Sequence, residues 1–130
     1  MNSISKWVAG ARPRTLPAAI SPVVVGTALA YRIHTTINYF NAFLALLISL
    51  ALQIAVNYAN DYSDGIKGTD EKRVGPVRLV GSGLASARAV KAAAILAFSF
   101  AAIVGTYLAS RTSYILILVG IVAIFAAWTY

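Results

Sequence analysis

Four long apolar stretches, separated by shorter polar segments, dominate the chain. They cover about residues 16–33, 39–61, 87–109 and 113–130. Each stretch is close to the ~20 apolar residues that a helix needs to cross ~30 Å of hydrocarbon. The pattern therefore predicts an all-α, polytopic membrane protein with about four transmembrane helices and a long polar loop over residues 62–86. Pro22 and Gly26 inside the first stretch predict a kink there, which a bilayer helix tolerates.

The composition agrees with a membrane protein. Of the 130 residues, 59% are hydrophobic and 12% are charged, whereas soluble domains carry about 25% charged residues. The net charge of +7 could attract nucleic acid. However, the basic residues stand at the ends of apolar stretches and form no basic stripe on a soluble domain, so we expect no nucleic-acid partner. The chain has no cysteine, which excludes disulfides and thiolate chemistry.

The basic residues are divided unequally between the two sides of the predicted bundle. Nine of the eleven precede the first apolar stretch, lie between the second and third, or stand in the first turn of the third, and only Arg32 and Arg111 belong to the other side. Cytoplasmic loops collect Lys and Arg. The distribution predicts a multi-pass protein of the cell (plasma) membrane, with its N-terminus and its acidic loop in the cytoplasm.

All four acidic residues follow the second apolar stretch within eleven positions: Asp61, Asp64, Asp70 and Glu71. On a continuing helix, Asn57 shares one face with the first two of them, because the spacing is i, i+4 and i+7, and Gln53 lies one turn earlier. The 22 steps from Tyr39 to Asp61 rise about 33 Å, which places Asp61 at the cytoplasmic end of the membrane. The following segment GIKGTD predicts the end of the helix.

Oxygen ligands of this kind suit a hard cation. Mg²⁺ binds proteins through one or two carboxylates plus substrate phosphates, and nearby Lys and Arg can bind the remaining phosphate oxygens. The cluster therefore predicts half of a metal–diphosphate site at a membrane surface. Acids beside basic residues often form only solvated ion pairs. That interpretation fits Glu71, whereas the register of Asp61 and Asp64 with Asn57 favours a functional site.

The segments around the cluster resemble the UbiA-type intramembrane aromatic prenyltransferases. NDYSDGIKGTD looks like the first Asp-rich motif of that family. RPRTLPAAISPVVVGTALA, residues 12–30, and NYANDYSDGIKGTDEKRVGPVRLVGSG, residues 57–83, resemble the menaquinone branch in particular. The resemblance spans essentially the whole chain. It implies a bundle of about nine helices, of which residues 1–130 would form a single N-terminal fragment.

The resemblance also implies an activity. A polyprenyl group would pass from a polyprenyl diphosphate to 1,4-dihydroxy-2-naphthoate in menaquinone biosynthesis. Mg²⁺ would assist ionisation of the diphosphate, and the electron-rich acceptor would capture the allylic cation and lose its carboxyl group as CO₂. The prenyl tail would lie among the helices, open to membrane lipid.

Residue roles follow from the same resemblance. The catalytic and metal-binding residues would be Asp61, Asp64 and Asn57. Contacts to the diphosphate would come from Asn60, Lys67, Asp70, Lys72 and Arg73. Contacts to the acceptor would come from Arg12, Arg14 and Gln53.

Two features depart from the family pattern. Gly68 stands where many members have an acid, so that Asp70 is the next carboxylate. No acid follows Glu71, although the family has a second Asp-rich motif on a later helix. We therefore expect this chain to be inactive without the remaining C-terminal helices of the same enzyme.

Three other interpretations stay open. The protein could be another UbiA-type aromatic prenyltransferase, a cation-coupled transporter subunit whose acids bind the cation, or a non-catalytic membrane scaffold. Transport sites usually lie near the bilayer midplane at broken helices. Counting residues places these carboxylates at the cytoplasmic edge instead, which favours the enzyme.

Overall fold

The computed structural model describes residues 1–68 and 75–130, and every regular element within those ranges is helical. The helices are α1 (Ser3–Ala11), α2 (Pro17–His34), α3 (Tyr39–Lys67), α4 (Ala87–Arg111) and α5 (Ile115–Thr129). A 3₁₀ turn, Pro13–Thr15, connects α1 to α2. The all-α prediction is confirmed, and helices occupy all four apolar stretches.

Local sequence sets both ends of α3. The Asn38 side chain accepts a hydrogen bond from the Asn41 backbone N–H at 3.0 Å, as an N-cap does. Gly68 ends the helix in the left-handed region, with φ +67°, which glycine adopts without a steric penalty. The helix therefore runs six residues beyond the predicted limit at residue 61, and the polar connection to α4 begins at Gly68.

Two helices, α3 and α4, are long and apolar enough to cross a membrane. A third span is possible if α1, the 3₁₀ turn and α2 count as one bent element, with a bend of 49°. This bend lies at Leu16, between the two helical parts, whereas α2 continues through Pro22, where we predicted a kink. α5 is apolar but has only 15 residues, fewer than a span usually needs. The polytopic membrane class is thus confirmed for two or three of the four predicted spans.

The core lies between α3 and α4, near the C-terminal end of α3. Small side chains let the two helices approach closely. The buried cluster combines residues of α3, of α4 and of the connection between them: Ala55, Tyr58, Ala59, Leu79, Val90, Ala94 and Phe98. This packing holds the end of α3 that carries the acidic residues against the loop that follows it.

The helix α1, which the hydrophobic pattern did not predict, packs against the same end of α3. Trp7 contacts Tyr58 edge to face, with 5.8 Å between ring centroids, and the Tyr58 hydroxyl donates to the Trp7 carbonyl oxygen at 2.8 Å. Lys6 Nζ donates to the Leu84 carbonyl oxygen at 3.0 Å. The N-terminal segment and the loop before α4 therefore lie together at one end of the molecule.

The opposite end of the α3–α4 pair is joined by Arg111. Its Nε donates to Asn41 Oδ1 at 3.2 Å, and its guanidinium group lies over the rings of Phe40, at 5.0 Å, and Tyr107, at 5.8 Å. Cations over aromatic faces are attracted by the ring quadrupole. One of the two basic residues on this side thus has a structural role.

Candidate functional site

Asp61 and Asp64 lie in the last turns of α3. The 29 residues of this helix rise about 43 Å, which exceeds the ~30 Å of hydrocarbon by roughly 13 Å. With Tyr39 at one boundary of the hydrocarbon, Asp61 and Asp64 would lie in the polar interface beyond the other boundary.

Asp61 is completely buried, with 0% of its surface exposed. Its Oδ2 accepts the backbone N–H of Leu79 at 2.7 Å, and its Oδ1 accepts the backbone N–H of Val80 at 3.0 Å. Hydrogen bonds to a charged acceptor are roughly twice as strong as neutral ones. Both oxygens of Asp61 thus bind the loop that precedes α4.

Two glycines make room for the side chains of this loop. Leu79 is fully buried beside Gly10, where an added Cβ would lie 2.6 Å from Leu79 Cδ1. Val80 lies against Gly65, one turn beyond Asp61, and an added Cβ there would collide with the Val80 side chain. Close approach of the loop to both α1 and α3 therefore depends on residues without a side chain.

Asp64 has a different environment. Its side chain is 30% exposed, and its Oδ2 lies 3.5 Å from Nη1 of Arg78. Arg78 directly precedes Leu79, so the loop brings a cation to the partly exposed carboxylate. Arg78 is one of the basic residues near the acids that were expected to bind phosphate oxygens, but local spacing does not show which of them a loop returns to α3.

Asn57 and Gln53 are brought together by Thr15, which sequence reasoning missed. Asn57 is 4% exposed, and its Nδ2 donates to the Ala11 carbonyl oxygen at 2.8 Å and to Thr15 Oγ1 at 3.0 Å. Gln53 Nε2 donates to the same hydroxyl at 3.4 Å. Both amide hydrogens of Asn57 are used, which directs its Oδ1 away from these partners. No pattern around Thr15 could have identified it, since its partners lie 38 and 42 residues away.

The remaining predicted residues fall into two groups. In the first group, Arg12 and Asn60 are half-buried, and the backbone of Arg12 has φ 52°. Arg14, on the 3₁₀ turn, and Lys67, at the end of α3, are exposed. The second group lies outside the described residues: Asp70, Lys72 and Arg73.

The described residues include the oxygen ligands that Mg²⁺ prefers, but fewer of them than a complete protein site needs. Within residues 1–68 and 75–130, no group of three or more His, Cys, Asp or Glu side chains could hold a metal ion. Asp64 and the Oδ1 of Asn57 are hard oxygen ligands, seven residues and about 10 Å apart along the helix axis. Because Mg–O distances are about 2.0–2.1 Å, two oxygens on one Mg²⁺ lie at most about 4 Å apart, so Asp64 and Asn57 cannot bind the same ion at this separation. Asp64 alone suits an Mg²⁺ that is shared with substrate phosphates rather than enclosed by protein.

Curated proteins match the chain over its whole length. The 1,4-dihydroxy-2-naphthoate octaprenyltransferase of Mycobacterium tuberculosis is 54% identical over 130 residues, which are all of this chain and 44% of the relative. The protein of the same name from Escherichia coli is 35% identical over 131 residues, which cover 95% of this chain and 42% of the relative. UbiA prenyltransferase domain-containing protein 1 of Homo sapiens is 35% identical over 69 residues, which cover 53% of this chain. The chain belongs to the UbiA-type prenyltransferase family.

The family resemblance of the Asp-rich segment is thereby confirmed. This UbiA-type prenyltransferase chain spans less than half the length of the curated relatives that it matches. No protein-family model and no solved structure matches it. Within the UbiA-type motif, the structure separates a buried carboxylate that binds backbone, Asp61, from a partly exposed one beside a cation, Asp64.

Proposed function

We propose that the protein transfers a polyprenyl group from a polyprenyl diphosphate to 1,4-dihydroxy-2-naphthoate at the membrane surface. The observation that carries this proposal is the 54% identity, over all 130 residues, to a relative that is named for this reaction. The position of Asp64 and Arg78 beyond the apolar layer supports it. The UbiA-type bundle would need the helices that residues 1–130 do not include.

The oxygen ligands of Mg²⁺ would come from α3. When bound there, the ion neutralises the charge that develops on the departing diphosphate. Asp61 belongs to the predicted ligand set, but both of its oxygens already accept backbone N–H groups. We therefore assign the contact to this ion to Asp64. Asn57, whose amide group is fixed by Ala11 and Thr15, lies about 10 Å away along the helix axis, so its Oδ1 would have to contact a separate ion.

Cationic and amide groups around Asp64 would bind the remaining diphosphate oxygens. Arg78 lies beside Asp64, and its guanidinium group can donate two parallel hydrogen bonds to a phosphate. Lys67, at the exposed end of α3, supplies a second positive charge. We also keep the other predicted diphosphate contacts as part of the proposal: Asn60, Asp70, Lys72 and Arg73. Preorganised positive charge at a leaving group lowers the barrier to its departure.

The acceptor carboxylate would bind near the 3₁₀ turn, which carries Arg14, follows Arg12 and contacts Gln53 through Thr15. Arg12 holds a left-handed backbone conformation, with φ 52°, immediately before Pro13. Such a conformation costs a non-glycine residue about 1–3 kcal/mol and often marks a functional site. We propose that this strain keeps the guanidinium group of Arg12 directed at the acceptor.

Substitution of Arg12 tests its contact with the acceptor. In the complete reading frame, Arg12→Gly removes the guanidinium group, so we expect a roughly tenfold rise in KM for the acceptor, equivalent to one charge-assisted hydrogen bond. Steady-state kinetics measure the change. Arg32→Gln, an exposed arginine in the last turn of α2, is the control. An unchanged KM in Arg12→Gly would remove Arg12 from the acceptor site.

We also propose that the end formed by α1, the loop before α4 and the end of α3 faces the cytoplasm. The sequence contains no cysteine, so a single introduced cysteine is a specific label site. Exposed Ser82 and Thr35 lie at opposite ends of α3. In intact cells, we expect a membrane-impermeant maleimide to label Thr35→Cys and not Ser82→Cys. The reverse pattern would invert the proposed topology.

Product formation by the complete reading frame, purified in lipid nanodiscs, tests the proposed reaction. We expect Mg²⁺-dependent conversion of polyprenyl diphosphate and 1,4-dihydroxy-2-naphthoate into the prenylated, decarboxylated product and diphosphate. Conversion of a different aromatic acceptor alone would move the protein to another branch of the family. Absence of product with every acceptor, combined with cation flux in proteoliposomes, would replace the enzyme with a transporter.

A further inference from the structure

We infer that Asp61 is a positioning residue rather than a metal ligand: its carboxylate fastens the loop at Leu79 and Val80 to α3 and thereby sets Arg78 opposite Asp64. The kinetic part of this inference rests on the proposed function. The structural part, the attachment of the loop to α3, does not.

The bonds of Asp61 support this role. A carboxylate without exposed surface is costly to bury unless hydrogen bonds compensate for the lost water. Here two backbone N–H groups compensate, one for each oxygen, at 2.7 and 3.0 Å. A metal ligand would instead present an oxygen to the space where the substrate binds, and the 0% exposure of Asp61 leaves none presented.

The loop that Asp61 holds is itself a compact unit. Backbone hydrogen bonds connect Ser82 N to Arg78 O at 2.9 Å, Gly83 N to Val80 O at 3.0 Å and Ala85 N to Leu79 O at 3.0 Å. Residues 78–85 therefore form a folded unit, which we name the 78–85 loop. A restraint at its first residues fixes the placement of the whole unit.

Arg78 is the residue whose position depends most directly on this attachment. Its Cα is only one residue, about 3.8 Å, from that of the bonded and fully buried Leu79. The side chains of Leu79 and Val80 lie in the spaces beside Gly10 and Gly65, so they cannot slide along α3 without collision. The restrained backbone thus brings Arg78 Nη1 to 3.5 Å from Asp64 Oδ2.

The two acids of the motif consequently make different contributions to diphosphate binding. Asp64 supplies an oxygen at the site, whereas Asp61 supplies the position of a cation. Loss of Asp61 should weaken diphosphate binding and leave the Mg²⁺ requirement unchanged. Loss of Asp64 should change the Mg²⁺ requirement.

Asp61→Asn and Asp64→Asn form a matched pair, since each removes one negative charge from α3 by the same substitution. In Asp61→Asn, one of the two backbone N–H groups faces an amide instead of an acceptor. We expect amide hydrogen exchange at Leu79 and Val80 to be about 10- to 100-fold faster than in the unmodified protein, whereas in Asp64→Asn it should change less than about twofold. Equal protection of both amides in all three proteins would overturn the inference.

Kinetics of the complete reading frame provide the second measurement. We expect Asp61→Asn to raise KM for polyprenyl diphosphate about tenfold and to shift the half-saturating Mg²⁺ concentration less than about twofold. In an Arg78→Ala background, Asp61→Asn should add less than about twofold, because the two residues act as a unit. A shift in Mg²⁺ dependence as large as that of Asp64→Asn would make Asp61 a metal ligand and overturn the inference.

Leu79→Ala covers the case in which Asp61→Asn does not fold. It loosens the same loop without altering a carboxylate, and we expect it to raise KM for the diphosphate with an unchanged Mg²⁺ requirement. An unchanged KM would contradict the inference. If the unmodified protein forms no prenylated product, the proposed function fails, while the exchange data still decide whether Asp61 holds the loop.

Discussion

In the complete reading frame, Asp64→Ala is expected to lower the rate of the proposed prenyl transfer by about a hundred- to a thousandfold, the loss typical of removing one group that stabilises charge in a transition state. The partly exposed carboxylate of Asp64 is the described acid best placed to share Mg²⁺ with a diphosphate. Its loss also leaves Arg78 without this negative partner at the membrane surface. Product formation at saturating substrate, followed by chromatography, measures the effect.

The control for Asp64→Ala is Ile66→Ala, two residues further along α3. Ile66 is 57% exposed, so its truncation should leave the rate within about twofold. Asp64→Glu keeps the charge but moves the oxygens, and we expect an intermediate rate. Near-normal turnover by Asp64→Ala would count decisively against a diphosphate site at the end of α3.

Gly65→Ala is expected to destabilise the protein by about 1–3 kcal/mol, the usual cost of overpacking. The new Cβ would collide with Val80, which Asp61 holds by its backbone. In an open helical position, Gly→Ala would instead stabilise by up to ~1 kcal/mol. The sign of the effect therefore tests the contact itself. Denaturant unfolding in detergent micelles, followed by circular dichroism, measures it.

The Gly65→Ala result has a matched control and a rescue. Gly26, also inside a helix, has no atom within 4 Å of an added Cβ, so Gly26→Ala should stabilise by up to ~1 kcal/mol. Val80→Gly removes both the Cβ and the methyl groups that the new Cβ would meet, so the double variant should lose less stability than the sum of the two single variants. A Gly65→Ala protein as stable as the unmodified one would show that the 78–85 loop does not pack on α3.

Local signals made the helices predictable from sequence. The apolar stretches are long, and the second and third begin directly after residues that cap helix N-termini, Asn38 and Ser86. The shared face of Asn57, Asp61 and Asp64 follows from helical periodicity alone. α1 escaped prediction because the search was for apolar stretches long enough to cross a membrane, and α1 has only nine residues.

The partners of the site residues were not predictable, because they are distant in sequence. Asp61 binds backbone 18 and 19 residues away, and Asn57 binds Thr15 across 42 residues. A backbone N–H leaves no trace in the side-chain pattern, so the sequence cannot distinguish a carboxylate that binds a loop from one that binds a metal. The motif predicted Asp61 and Asp64 as site residues, and the fold shows that their environments differ.

The length of α3 bears on which solvent each product of the proposed reaction would enter. A polyprenyl chain partitions into lipid, whereas a released diphosphate dissolves in water. Because α3 rises past the hydrocarbon by roughly 13 Å, bond cleavage at Asp64 would occur at the phase boundary. The released diphosphate could then diffuse into water while the apolar prenylated product stays in the bilayer. This separation would oppose the reverse reaction.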